Sequence, residues 1–124
     1  MPDKKKILVA EDDNFLSTLL KNRLIRDGFD VSIVGRGDEV VPALKKQKMD
    51  LLLLDIILPG KIGYDVIDDL KEAKLKTPFM IISNLAQDED VQRAKKAGAI
   101  EYFVKAHVAI DELVKRVTSF LNTT

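Results

Sequence analysis

Carboxylate, hydroxyl and amino side chains follow short apolar runs at four places along the chain. Glu11 and Asp12 come after the first run, and Asp55 comes after a later one. Ser83 and Lys105 follow two further runs. Carboxylate oxygens are typical ligands of a hard divalent cation such as Mg²⁺ or Mn²⁺. A metal beside a carboxylate, a hydroxyl and a lysine could hold a phosphoryl group, whose oxygens need positive charge and hydrogen bonds.

The apolar pattern predicts the elements that would position these side chains. Continuous apolar runs at 7–10, 51–54 and 79–82 and the segments around 31–33 and 100–104 are typical of strands. A helical pattern follows each of them, in the segments Phe15–Leu24, Asp38–Lys48, Tyr64–Leu70, Asp88–Ala97 and Ile110–Leu121. Alternating strands and helices predict an α/β protein with a parallel sheet.

The strand order follows from which runs are apolar throughout. The first, third and fourth runs suit the centre of a sheet covered on both faces, whereas the second and fifth carry polar residues and suit its edges. The order 2-1-3-4-5 satisfies this, which is a flavodoxin-like doubly wound (βα)5 sandwich. Because ligand sites in such sheets lie beyond the carboxyl ends of the strands, this order would gather the five polar side chains at one edge.

The amino-acid composition excludes several classes of function. The chain has 124 residues with twenty basic and twenty acidic side chains, so it has no overall field for binding nucleic acid or an anionic membrane directly. It has one histidine and no cysteine, and the absence of cysteine excludes disulfides and cysteine-ligated metal sites. The apolar run at 51–58 is short and broken by Asp55, and the amino terminus lacks the apolar segment of a secretory signal. We expect one cytoplasmic domain over residues 1–124, with no effector domain in this chain.

Each of these residues also has a purely structural interpretation. An acidic residue after a strand is commonly a helix cap, which we expect of Asp13 or Asn14, and Asp55 alone could be a turn residue. Ser83 and Lys105 taken singly could be structural or solvated. The functional interpretation depends on the combination, because each residue ends a different strand of one predicted sheet edge.

With these residues in view, the sequence resembles the receiver domain of bacterial two-component response regulators (CheY-like). The resemblance covers essentially the whole chain, and it is strongest at residues 7–13, 51–60, 81–83 and 96–105. It implies that Asp55 is the phosphoacceptor for a sensor histidine kinase or a phosphotransfer protein. It also implies that Asp12 ligates Mg²⁺ directly, with Mn²⁺ as a substitute, and that Glu11 helps through water. Asp55 and the backbone carbonyl of Ile57 would complete the protein ligands.

The resemblance also implies how the signal would leave the site. Ser83 would bond one phosphoryl oxygen and Lys105 would pair with another, while the Ser83 hydroxyl would be coupled to Tyr102 on the fifth strand. The output would be a shift of the surface formed by the fourth helix, the fifth strand and the fifth helix, which would meet a downstream protein. A phosphorylation-dependent homodimer on that surface is a further expectation.

The chain departs from the family pattern near the expected site. Lys105 is usually followed by a proline in a cis peptide bond, but Ala106 stands here, so we expect a trans bond. Ile57 and Leu85 would flank the phosphoryl group, and neither aliphatic side chain can orient an attacking water. We therefore expect slow self-dephosphorylation.

Two other functions compete with this interpretation. A haloacid-dehalogenase-type phosphohydrolase needs a second aspartate two residues after its nucleophile, where this chain has Ile57. We therefore expect a phosphoacceptor that assists its own phosphotransfer, not an enzyme with a separate substrate. A receiver fold used only for docking or dimerisation, without regulated phosphorylation, stays open.

Overall fold

Five parallel strands form the centre of the fold in the computed structural model, which describes residues 4–122 of the chain. The strands are β1 (Lys6–Ala10), β2 (Asp30–Val34), β3 (Leu51–Leu54), β4 (Phe79–Ser83) and β5 (Tyr102–Val104). Their order is β2-β1-β3-β4-β5, so the predicted flavodoxin-like topology is confirmed. As expected, β1, β3 and β4 are almost entirely buried, and the edge strands β2 and β5 are partly exposed.

Five helices connect and cover these strands. They are α1 (Asn14–Arg26), α2 (Val40–Lys46), α3 (Gly63–Glu72), α4 (Asp88–Lys96) and α5 (Ile110–Asn122). Asp13 caps α1, because its side chain accepts hydrogen bonds from the backbone N–H groups of Phe15 and Leu16, and the predicted cap is thereby confirmed. Pro42 lies in the first turn of α2, where its missing N–H is tolerated.

Two element boundaries differ from the sequence prediction. The helical pattern at 38–48 divides into a 3-10 turn (Gly37–Glu39) and the shorter α2. The last strand begins at Tyr102 rather than at Ile100. Short amphipathic segments carry little information about where their hydrogen bonding begins, so such ends are poorly determined by periodicity.

The core has two layers, one on each face of the sheet. Alternate residues of β1 separate between them: Leu8 packs with the residues of α2, α3 and α4, whereas Ile7 packs with those of α1 and α5. This period of two follows from the pleat, which points successive side chains to opposite faces. Because all five strands are parallel, their carboxyl ends meet at one edge of the sheet, between the helical layers.

Among residues 4–122, no helix has the length and the apolar character needed to cross a bilayer.

Candidate functional site

Three carboxylates meet where β1 and β3 end. The two strands pair so that Ala10 lies beside Leu54, and the Asp55 N–H donates a hydrogen bond to the Ala10 carbonyl at 3.0 Å. The residues that follow each strand are therefore neighbours. One carboxylate oxygen each from Glu11, Asp12 and Asp55 lies within 4.8 Å of the others. The sequence predicted this convergence.

Lys105 reaches into this cluster from the end of β5. Its backbone N–H donates to the Ser83 carbonyl at 3.0 Å, and its side chain extends over the end of β4 toward the acids. The ammonium Nζ lies 2.6 Å from Glu11 Oε1 and 2.7 Å from Asp55 Oδ2. Both carboxylates are buried, with side-chain exposures of 3% and 5%, so these ion pairs are shielded from water.

Burial and pairing shift the proton affinities in this cluster. Burial raises the pKa of Glu11, and the nearby Asp55 charge adds to the rise, while the Lys105 ammonium only partly offsets it. Burial by itself would lower the pKa of Lys105, but hydrogen bonds and charge attraction from Asp55 and Glu11 outweigh that effect and raise it. Lys105 therefore carries a firmly held positive charge between two acids.

The loop after β3 fixes the second oxygen of Asp55. Asp55 Oδ1 accepts a hydrogen bond from the Ile57 N–H at 3.1 Å, so the backbone at Ile57 lies directly beside the carboxylate. The loop then returns under Gly63, whose N–H donates to the Ile56 carbonyl at 2.7 Å. A side chain at Gly63 would place its Cβ 2.7 Å from Ile56 Cα, so only glycine fits this close approach. The sequence carried no signal for that role.

A chain of hydrogen bonds leads from Ser83 to Tyr102. The Leu85 N–H donates to Ser83 Oγ at 3.2 Å, and the Tyr102 hydroxyl donates to the Leu85 carbonyl at 2.6 Å. Ser83 is fully buried, and burial raises the pKa of the Tyr102 hydroxyl. The backbone of Leu85 thus connects the two side chains that the resemblance pairs, whereas the sequence predicts only a shielding role for Leu85.

The donor set fits a hard divalent cation. Three carboxylates and one ammonium leave two formal negative charges, which a divalent ion would offset. Glu11 Oε2 accepts from the Asp13 N–H, whereas the exposed Asp12 carboxylate has no hydrogen bond or ion pair within residues 4–122 and is available as a ligand. Oxygen donors without histidine or cysteine favour Mg²⁺ or Mn²⁺ over zinc. The Ile57 carbonyl stays a predicted ligand.

One further expectation concerns the loop after β5. The Lys105–Ala106 peptide bond is trans, as expected, and so are all the peptide bonds between residues 4 and 122. His107 is exposed and lies in the turn before α5, where its N–H donates to the Val104 carbonyl.

One family of domains agrees with both this topology and the acidic site at its carboxyl edge. Residues 7–118 match the family described as the response regulator receiver domain. The chain belongs to that family, the CheY-like receivers of two-component systems.

Individual relatives support the same assignment. The chain is 34% identical over 112 residues to the cell cycle response regulator CtrA of Brucella ovis, which covers 90% of this chain and 48% of that protein. The chain thus spans about half the length of the curated relatives that it matches.

Solved structures agree with the fold. A Francisella response regulator receiver domain, 27% identical, superposes with a TM-score of 0.89 over 98% of this chain and 100% of that chain. The BeF3-activated N-terminal receiver domain of RstA from Klebsiella pneumoniae, 31% identical, gives a TM-score of 0.84 over 93% of this chain and 97% of that chain.

Proposed function

We propose that this receiver is a phosphorylation-activated switch that accepts a phosphoryl group from a sensor histidine kinase, or from a phosphotransfer protein, onto Asp55. One observation carries the proposal. The buried Asp55 carboxylate lies beside Glu11 and Asp12, which are suited to bind a metal, and it also contacts the Lys105 ammonium. Phosphoryl transfer needs a nucleophile that can attack the phosphorus and positive charge beside the phosphoryl oxygens, and this arrangement supplies both.

The step requires little from the protein beyond positioning. An Asp55 oxygen would attack phosphorus while the phosphorus–nitrogen bond of the donor phosphohistidine breaks, and that electron pair would return to the imidazole. Bound Mg²⁺ would supply charge neutralisation for the transferring oxygens. Asp12, Asp55, the Ile57 carbonyl and, through water, Glu11 would hold the ion.

After transfer, Lys105 and Ser83 would hold the acyl phosphate. The Lys105 ammonium already lies beside Asp55 Oδ2, so it would need only a small movement to pair with a phosphoryl oxygen. The Ser83 hydroxyl would donate to another oxygen. Because the Leu85 N–H is bonded to Ser83 Oγ and the Leu85 carbonyl accepts from the Tyr102 hydroxyl, a change at Ser83 would be transmitted to β5 and the start of α4.

The output would be carried by the surface of α4, β5 and α5, which we expect to bind a downstream protein or a second copy of the chain. Glu101 and Arg116 form an ion pair within this surface. A homodimer that used these two residues across its interface would have to exchange that internal pair for an intermolecular one. Direct binding of nucleic acid or membrane is not part of the proposal, and we expect the switch to act in the cytoplasm, where its kinase domain would present the phosphohistidine.

The test is labelling of the native chain by acetyl phosphate in the presence of Mg²⁺, followed by intact-protein mass spectrometry. We expect one added phosphoryl group on the native protein and none on Asp55→Asn or in excess chelator. The matched control is Asp68→Asn, which removes an exposed carboxylate from α3 and should label normally. Absence of labelling from any small-molecule donor or kinase would overturn the proposal and favour a docking module.

A further inference from the structure

A second polar feature lies at the opposite edge of the sheet from Asp55. A groove of about 640 Å³ opens there, lined by residues that immediately precede β1, β3 and β4. Five lysines line it: Lys5, Lys45, Lys48, Lys74 and Lys76. Its floor includes the apolar side chains of Leu44, Met49 and Leu75.

Among residues 4–122, this lysine groove has an excess of positive charge, since five lysines and one acidic residue line it. None of its five lysines forms an ion pair within the part of the chain that the structure describes. The one acidic residue that lines the groove, Asp50, accepts a hydrogen bond from the Lys6 N–H at 2.8 Å. The chain as a whole is neutral, so the groove is a local concentration of charge that the overall sum conceals.

Helix dipoles do not account for these lysines. Basic residues are favourable in the last turn of a helix, and Lys45 in α2 has that position. The other four lie outside the helices: Lys5 precedes β1, Lys48 lies beyond α2, and Lys74 and Lys76 lie between α3 and β4.

Lys74 is held in a conformation that lysine disfavours. It has a φ of 58°, the only positive value at a non-glycine residue between positions 4 and 122. Helices α1 and α4 end in the same motif, with the same two backbone hydrogen bonds, but their equivalent residues are Gly28 and Gly98. Glycine adopts this conformation without the steric cost that a Cβ imposes. A strained residue that persists in a charged groove points to a function for its side chain.

We propose that the lysine groove binds a small, multiply phosphorylated anion. Lysine ammonium groups act as point charges for phosphate oxygens, and several around one concave site would engage several phosphates at once. The groove has the size of known small-molecule sites, and its apolar floor could accept a planar ring beside the phosphates. This site is separate from Asp55 and does not depend on the proposed phosphorylation.

The test is calorimetric titration of the native protein with inorganic tripolyphosphate and, separately, with ATP. Excess EDTA keeps metal from carrying either probe to the acidic site, and Asp55→Asn should bind both probes as the native protein does. We expect both to bind, with affinity that falls as salt is added. Tighter binding of ATP would assign the apolar floor to a nucleoside, whereas equal binding would assign the site to a polyphosphate chain.

The Lys74→Gly variant separates the contribution of this side chain to anion binding from the cost of its backbone conformation to stability. We expect about fivefold weaker binding of tripolyphosphate, because one nearby positive charge is lost. We also expect a thermal unfolding midpoint that rises by about 3–5 °C, because glycine relieves the unfavourable backbone. The charge-matched control is Lys115→Gln, an exposed lysine on α5 outside the groove, which should leave both quantities unchanged. Unchanged binding by Lys74→Gly, or equal weakening by Lys115→Gln, would overturn the site.

Discussion

The Lys105 ammonium lies 2.7 Å from Oδ2 of Asp55, and the two residues follow strands that are separated by β4. The same ammonium contacts Glu11 at 2.6 Å, so a single positive charge bridges two buried acids. Lys105 therefore lies beside the carboxylate that we propose as the phosphoacceptor. Loss of the Lys105 ammonium should therefore affect the two acids of the unmodified site and also the binding of a phosphoryl group or its mimic.

Lys105→Gln should weaken binding of beryllofluoride, a mimic of the phosphoryl group on an aspartate. A hydrogen bond to a charged group is worth about 1.5–3 kcal/mol, so we expect the dissociation constant to rise about tenfold to a hundredfold. Titration with beryllofluoride in excess Mg²⁺, followed by amide NMR, would measure it. Lys96→Gln, an exposed lysine on α4, supplies the control, and an equal loss there would contradict the direct role of Lys105.

Glu11 should make stability depend on pH in a direction opposite to that of most acids. Because burial raises its folded-state pKa above the ordinary value of 4.5, the folded protein retains a proton that the unfolded chain releases. Stability associated with Glu11 is therefore present at low pH and is lost as pH rises from about 4.5 through the folded-state pKa.

Glu11→Gln removes this titration. In EDTA, we expect the free energy of unfolding of the variant to rise relative to that of the native protein between pH 4 and pH 7, measured by urea denaturation. Adding Mg²⁺ at pH 7 should stabilise the native protein more than the variant, since the ion offsets the charge of the acids. Glu72→Gln, at an exposed position on α3, is the control. If the native protein instead gained stability relative to Glu11→Gln across this range in EDTA, the raised pKa would be wrong.

We expect a different pair of residues to govern the lifetime of a phosphoryl group on Asp55. Ile57 is 55% exposed beside Asp55, and Leu85 is half-buried with its backbone bonded to Ser83 and Tyr102. Neither side chain can hydrogen-bond a water that attacks the acyl phosphate, so we expect slow self-dephosphorylation. The double variant Ile57→Asn, Leu85→Glu should shorten the half-life by about tenfold or more, because orienting a water contributes at least that much to hydrolysis.

The measurement is decay of the labelled protein after the phosphodonor is removed. Ile62→Asn provides a comparison, since it places the same polar side chain at another exposed apolar position of the same loop, where Ile62 is 40% exposed. A half-life that does not shorten in the double variant, or that shortens equally in Ile62→Asn, would count against shielding by these two side chains.

The fold and the convergence of the site could be predicted from the sequence for one reason. Apolar runs such as 51–54 identify central strands, and a parallel topology brings the residues after them to one edge. The sequence alone therefore places Glu11 and Asp55 at the same edge of the sheet.

Features that depend on backbone path could not be predicted in this way. The hydrogen bond from Tyr102 to the Leu85 carbonyl involves a main-chain group that every residue type carries, so no pattern marks it. The positive φ of Lys74 was hidden for a similar reason, because the sequence signal for that conformation is glycine and this position lacks it. The close approach at Gly63 depends on how one loop folds over another.

Helix α4 is weakly attached to the rest of the molecule. Ala94 is its one fully buried residue, and no side chain caps its amino end. Its most specific contacts are with Tyr64 of α3, whose hydroxyl donates to the Asp90 carbonyl at 3.3 Å. The Arg93 guanidinium carbon lies 3.7 Å from the centre of the Tyr64 ring, in a cation–π contact.

Arg93→Gln should loosen α4 without unfolding the domain. A cation–π contact near the surface is worth about 0.5–1 kcal/mol, so we expect amide hydrogen exchange at residues 88–96 to accelerate about twofold to fivefold. Exchange in the central strands should accelerate by no more than the same factor and stay far slower than in α4, because their opening requires the whole domain to unfold. Lys95→Gln removes an equal charge from the same helix, where Lys95 is exposed, and should leave exchange at its native rate. Equal acceleration by both variants would mean that helix charge, rather than the Tyr64 contact, holds α4 in place.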